Sequence, residues 1–332
     1  MKNFFDSQYI EIPSYQLLKN KEKNKKKKVI VIAGPTAVGK SRIAIKIAKI
    51  IKGEIISADS MQVYRNMNIG TAKIDEKERR EVMHHLIDIC DISESFSIID
   101  FYREAVEALK EIFLKERAAI VVGGSGFYIQ ALLYGPPCGP PPSLRIRKKL
   151  EEEIAKKGLF SLYEKLAILD PEYAATITEN DKHKIIRALE IIAISKKRVS
   201  SFRISKDSKN SEYDFRSWVL HMPKDILYKR VEKRCEEMIK KGFIDEVKKL
   251  ENEGIRKNKI ASKAIGYKQC LDFLEKGLNE KDFIENFKSK SKRYVKRQIT
   301  WFLKDKNFRW LDLSKKKEEN IIEYILQDYE QL

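Results

Sequence analysis

The sequence predicts an α/β fold: a parallel sheet flanked by helices, with an all-helical segment inserted into it. Three observations carry this. Short apolar, largely β-branched runs at 29–33 and 119–122, with a further strand read at Glu54-Ile55-Ile56-Ser57, lack the polar alternation of a solvent-facing sheet, as strands buried on both faces do. Stretches of helical periodicity separate them, the pattern of strand–helix–strand crossovers. Between the first strand and the first helix stands Gly34-Pro35-Thr36-Ala37-Val38-Gly39-Lys40-Ser41. Its G-x-x-x-x-G-K-S form is that of a phosphate-binding loop, which makes the expected architecture P-loop NTPase-like.

Residues 1–28 read as a basic N-terminal appendage, with seven lysines between Lys19 and Lys28. A solvated arm is the simpler reading; an RNA-binding arm is the other. Asp6 and Glu11 interrupt the N-terminus and no apolar h-region follows, so no secretory signal is expected. The core begins at Val29. In the loop that follows, backbone N–H groups and a helix N-terminus point at an anion. Lys40 then reaches a terminal phosphate and Ser41 holds Mg²⁺. The first helix covers 42–48.

The strand at 54–57 delivers Ala58-Asp59-Ser60-Met61-Gln62-Val63-Tyr64 to the carboxyl edge of the sheet, where α/β folds bind ligands. This strand is expected beside the first one, so that Asp59 meets the phosphate loop. Asp59 reads equally as a turn or cap residue. His84 and His85 lack a cysteine or carboxylate at ligand spacing and are expected to be structural. Ser97 and Asp100 have capping-box spacing, opening a helix to about Lys115. The strand at 119–122 ends in Gly123-Gly124-Ser125-Gly126, leading into a helix over 127–133. An ATPase of the motor or switch type would carry a Walker-B aspartate at such a strand end. Glycines stand there instead, which counts against that class.

Residues 135–142 hold five prolines and two glycines, a hinge or boundary. Residues 141–199 read as a helical insertion. The core, 29–140 and 200–332, resumes with a strand at 216–220. A helix over 224–240, stopped by Gly242, carries Arg230 and Arg234 on one face. A long helix covers roughly 281–303.

Net charge is +18, from 67 Lys and Arg against 49 Asp and Glu. That excess suggests a polyanionic partner, most simply nucleic acid, with a solvated Lys-rich surface as the plainer alternative. Between 281 and 310, ten Lys or Arg face three acidic residues, with Tyr294, Trp301 and Phe302 interleaved. Such a mixture contacts phosphates and stacks on unpaired bases. No apolar run approaches a membrane span. Cys90, Cys138, Cys235 and Cys270 show no metal-ligand spacing and suggest reduced thiols in a cytosol. On physical grounds two classes compete: a small-molecule P-loop kinase, and an enzyme that holds a diphosphate in the loop and acts on nucleic acid. The basic helix and the missing Walker-B residue favour the second. A non-catalytic RNA-binding module would leave the phosphate loop unexplained.

Seven segments then resemble one family: GPTAVGKS at 34–41, ISADSMQVYRNMNIGTAK at 56–73, HHLIDI at 84–89, VVGGSGFYIQALL at 121–133, NDKHKIIRALE at 180–190, KAIGYK at 263–268 and KRQITWF at 296–302. In family order over 29 to about 312, they resemble the tRNA dimethylallyltransferases, isopentenyl transferases that prenylate the adenosine 3′ of the anticodon. Ser125 stands where the family usually has Thr, and His183 and Lys184 where Gln or Arg are usual. The bacterial form, without a zinc-finger extension, is implied.

The resemblance implies a cytoplasmic, monomeric prenyltransferase that takes dimethylallyl diphosphate and the anticodon stem-loop of tRNA, with Mg²⁺ as cofactor. It implies Asp59 as general base, and Lys40, Thr36, Ser125 and Arg234 as further catalytic residues. For Arg234, a surface ion pair is the plain alternative. The segments implied to contact tRNA are Asp59, Ser60, Met61 and Gln62; Ser125; Arg147, preferred to Arg145 on spacing; His183, Lys184, Ile185, Ile186 and Arg187; Lys263, Ala264, Ile265, Gly266, Tyr267 and Lys268; and Lys296, Arg297, Gln298, Ile299, Thr300, Trp301, Phe302 and Leu303. The helical insertion is expected to grip the stem-loop.

Overall fold

The computed structural model describes residues 26–137, 139–202 and 212–331; most of the N-terminal appendage lies outside them. Six strands form one sheet, β1 (Lys27–Ala33), β2 (Glu54–Ser57), β3 (His84–His85), β4 (Ala119–Gly123), β5 (Tyr213–His221) and β6 (Arg309–Asp312). Their order is β3-β2-β4-β1-β5-β6, and every pairing is parallel. Val29 to Ala33 are fully buried, as an all-apolar central strand covered by helices on both faces should be.

Two expectations need correction. β1 begins at Lys27, paired with Tyr213, and Lys28 Nζ donates to the carbonyl of Tyr329 at 2.8 Å, so these two lysines belong to the core. β2 is not the neighbour of β1, because β4 lies between them. A strand's place in a parallel sheet is set by the handedness and packing of its crossover, which chain order does not reveal.

The described residues hold thirteen α-helices. Those that build the main core are α1 (Lys40–Ile50), α2 (Glu76–Glu81), α3 (Ile98–Leu114) and α4 (Gly126–Tyr134) before the insertion. Ser97 caps α3 in a capping box with Asp100. The insertion consists of α5 (Leu144–Lys157), α6 (Leu159–Leu169), α7 (Pro171–Ala174) and α8 (Lys182–Ser195). It has its own core, with Leu150, Leu162, Leu166, Ala174, Ile185 and Leu189 at its centre. The chain then returns through β5 to α9 (Lys224–Lys240), α10 (Phe243–Asn252), α11 (Tyr267–Lys276), α12 (Glu280–Phe302) and α13 (Glu318–Glu330).

The long helix α12 shows why the sequence folds as it does. Phe283, Phe287, Ser291, Val295, Gln298 and Phe302 recur three or four apart and are its buried stripe. Between them Arg293, Lys296 and Arg297 face outward, whereas Lys288 and Lys292 pair with Glu236 and Glu232 of α9. No described helix is long and apolar enough to cross a membrane. His85 Nε2 pairs with the buried Glu54 carboxylate at 2.6 Å and His84 Nδ1 with the Val82 carbonyl at 2.7 Å. Both histidines are therefore structural, and no group of three metal-ligating side chains occurs among the described residues.

Candidate active site

The phosphate loop leaves β1 and turns through the left-handed region at Ala37 (φ 63°) and Gly39 (φ 109°) before α1 begins at Lys40. Those turns aim successive N–H groups inward, so that an anion can be cradled by backbone. Lys40 folds back over the loop and donates to the Pro35 carbonyl at 2.7 Å. Ser41, at the helix start, is exposed.

β4 brings its glycine turn between the phosphate loop and Asp59. A Cβ on Gly123 would overlap the Ala58 carbonyl, so glycine is what allows the two strand ends to approach. The Ser125 N–H donates to that same Ala58 carbonyl at 3.2 Å. Ser125 Oγ accepts from the Ser60 N–H at 3.0 Å and lies 3.2 Å from Ser60 Oγ. The segment after β2 is thus held on both sides. Asp59 Oδ1 accepts from the Met61 N–H at 2.9 Å, closing a turn. Its other carboxylate oxygen has no hydrogen bond among the described residues, so closing the turn leaves that oxygen available for chemistry.

Charge gathers around this carboxylate. Burial and the nearby Arg234 guanidinium pull the Lys40 ammonium down to about 7, while Asp59 opposes the shift. Arg234, on α9, is itself lowered by burial and held charged chiefly by Asp59. Arg234 thus lies within electrostatic reach of Asp59 and Lys40, and it makes no salt bridge among the described residues. One turn earlier, Arg230 reaches the Val38 carbonyl at 3.5 Å. Sequence reasoning missed Tyr294, taken there only as an aromatic among basic residues. Burial first, then the Asp59 carboxylate, push its phenol well up, so it stays protonated beside Asp59.

A depressed lysine predicts a proton linkage. Above about pH 7 the unliganded Lys40 is largely neutral, and an arriving diphosphate favours its charged form, so binding takes up a proton. Calorimetry of diphosphate binding at about pH 8, in buffers of different ionisation enthalpy, should show uptake approaching one proton, and less at about pH 6 where Lys40 is already charged. Lys40→Arg, which stays charged, should abolish the difference. Equal uptake in the two proteins would contradict the shift.

Gln298 ties the basic helix to the phosphate loop. Its Oε1 accepts from the Thr36 N–H at 3.0 Å and its Nε2 donates to the Gly124 carbonyl at 3.0 Å. It was expected to contact tRNA, yet it is buried and both ends of its amide are used. Ile185, Ile186, Ala264, Gly266, Tyr267 and Phe302 are buried as well. Each of these segments turns one side toward the protein's own core, and these positions lie on it. Lys263, Lys268, Lys296, Arg297, Thr300, Trp301 and Leu303 are exposed.

Arg147 and Arg187 converge on one buried carboxylate. Arg147 Nε and Nη2 lie 2.9 and 3.0 Å from the two oxygens of Glu190, and Arg187 Nη1 lies 2.6 Å from one. Arg187 also donates to the Pro140 carbonyl at 2.7 Å, and Glu190 accepts from the Ser143 N–H. These bonds lock the proline-rich connection to the insertion. Both arginines keep part of their surface open.

The family model for IPP transferase matches residues 62–305. The chain is 52% identical over 316 residues to a tRNA dimethylallyltransferase of Protochlamydia amoebophila, spanning 94% of this chain and 92% of that one. It is 44% identical to the enzyme of the same name from Chlamydia trachomatis, over 92% of this chain and 98% of that one. Among solved structures it is similar to the full-length tRNA isopentenylpyrophosphate transferase of Bacillus halodurans (TM-score 0.67, 39% identity, 92% and 97% of the two chains). It is also similar to a eukaryotic dimethylallyltransferase acting on tRNA (TM-score 0.74, 29% identity, 89% and 78%).

Proposed function

The chain belongs to the IPP transferase family, and from that premise we propose that it transfers a dimethylallyl group from dimethylallyl diphosphate to the N6 amine of the adenosine 3′ of the tRNA anticodon. The observation that carries this is the Gln298 bridge from the Thr36 N–H to the Gly124 carbonyl. It presses the basic helix against the phosphate loop, so a diphosphate cradle and a polyanion-facing surface form one site.

In the reaction, N6 attacks C1 of the prenyl donor while the C1–O bond breaks. The bonding pair leaves with the diphosphate. Loop N–H groups, Lys40 and Arg234 stabilise the charge that develops there. The proton lost from N6 goes to Asp59, whose second oxygen is open and which lies among those charges. Ser125 positions the Asp59 segment through Ser60. The adenine must leave the anticodon stack to reach Asp59, which an unpaired loop allows most easily. Mg²⁺ fits the donor set: Ser41 supplies a hydroxyl, and the diphosphate itself supplies the remaining charge, as Mg²⁺ sites on phosphates commonly do. Bound there, it would neutralise leaving-group charge.

Purified protein with labelled dimethylallyl diphosphate, Mg²⁺ and bulk bacterial tRNA should place label in RNA and none in small nucleotides. Label in small nucleotides would make a free nucleotide the prenyl acceptor in place of tRNA, and phosphate transfer from ATP to a small acceptor would favour the kinase reading. The exposed face of α12 gives a second check. Neutralising Lys296 and Arg297 together should weaken tRNA binding and reduce its salt dependence by roughly one to two units of slope. An unchanged slope in a salt titration would return these residues to the solvated surface.

A further inference from the structure

Two large aromatic side chains remain in water at the lip of this site. Phe127 is 48% exposed and Trp301 40%. Their ring centroids are 5.9 Å apart and the rings meet edge to face, at 81°, the arrangement in which an aromatic pair holds itself rigid. Room for the indole is built in: a Cβ on Gly126 would overlap Trp301 Cδ1 and Nε1. The pair therefore sits on the backbone at the start of α4, directly after Ser125, whose hydroxyl meets Ser60. Lys296 and Arg297, exposed on the same helix as Trp301, lie about one turn away. Apolar rings left open inside a basic surface fit an occupant with a flat aromatic face and phosphates on either side.

We propose that Phe127 and Trp301 form a stacking platform for the unpaired nucleobase adjacent to the target adenine in the substrate RNA. This rests on the reading of the protein as an RNA prenyltransferase. Taking the adenine out of the loop stack strips its neighbour of a stacking surface. The aromatic pair replaces that surface two residues from Ser125, and so lowers the cost of presenting the adenine to Asp59. Base–aromatic stacking tolerates any base, so the platform fixes geometry and not sequence.

The test is a double-mutant cycle on an anticodon stem-loop. One partner is Phe127→Leu, which keeps apolar volume against Trp301 and removes the ring. The other is an abasic nucleotide on either side of the target. Wild type should lose roughly tenfold in affinity for the loop abasic at one of the two positions. Phe127→Leu should lose a similar factor on intact RNA and little more on that abasic loop, and Phe127→Tyr should restore binding. Trp301 fluorescence, identified by its loss in Trp301→Leu, should be quenched by intact RNA and less by the abasic form. Additive losses at both flanking positions, or full affinity in Phe127→Leu, overturn the platform. Label transfer by the wild type to the intact stem-loop is measured alongside: its absence sinks the enzymatic reading itself, whereas normal transfer with an additive cycle removes only the platform.

Discussion

Replacing Asp59 by Asn should slow single-turnover prenyl transfer by about two to four decades at saturating tRNA and donor, while RNA affinity changes far less. The asparagine keeps the shape and the acceptor that closes the Met61 turn at 2.9 Å. It removes the charge and the proton acceptor. Were Asp59 only a turn residue, Asn would serve nearly as well and the rate would hardly move. Were it only an anchor for Mg²⁺, raising the metal concentration would restore much of the activity. A rate within tenfold of wild type, or recovery with metal, removes Asp59 as the base and leaves it a positioning residue. The carboxylate also faces Arg234 and Lys40, so donor affinity should be recorded in the same experiment.

Lys40→Ala should reduce transfer by roughly two or more decades, because a charge-assisted contact to the leaving group disappears as charge builds there. Binding of the anticodon stem-loop should change little, since the residues proposed to face RNA lie on α12 and beyond the glycine turn. The comparison separates the two halves of the site. Near-normal turnover in Lys40→Ala contradicts the assignment of the loop to the diphosphate. A large loss of RNA affinity shows that the loop instead supports the RNA surface.

The architecture was legible where a signal is local. Residues 29–33 and 119–122 are unbroken apolar runs, and only burial on both faces of a sheet accommodates them. Ser97 and Asp100 announced a helix start through their own hydrogen bonds. What chain order hid was lateral. The intrusion of β4 between β1 and β2 depends on how crossovers pack, and it makes the glycine turn, not strand adjacency, the bridge between loop and aspartate. The site was legible in its motifs and less so in its supports. Gln298 carried a signal, being an amide inside an otherwise largely apolar stripe of α12, because a buried amide needs partners. The convergence of Arg147 and Arg187 on Glu190 joins residues 43 and 3 positions apart, and only one of those spacings is visible on a helix. Tyr294 comes within electrostatic reach of Asp59 through the tertiary fold alone.

The most direct measurement is the position of the prenyl group in the product. Anticodon stem-loop is incubated with dimethylallyl diphosphate and Mg²⁺, digested to nucleosides and read by mass spectrometry, with ATP offered in a parallel reaction. The predicted result is one dimethylallyl group on N6 of the adenosine 3′ of the anticodon, absent when that adenosine is replaced by guanosine, with no phosphorylated product from ATP. Modification at another nucleoside, or a phosphorylated small molecule with unmodified RNA, would contradict the account.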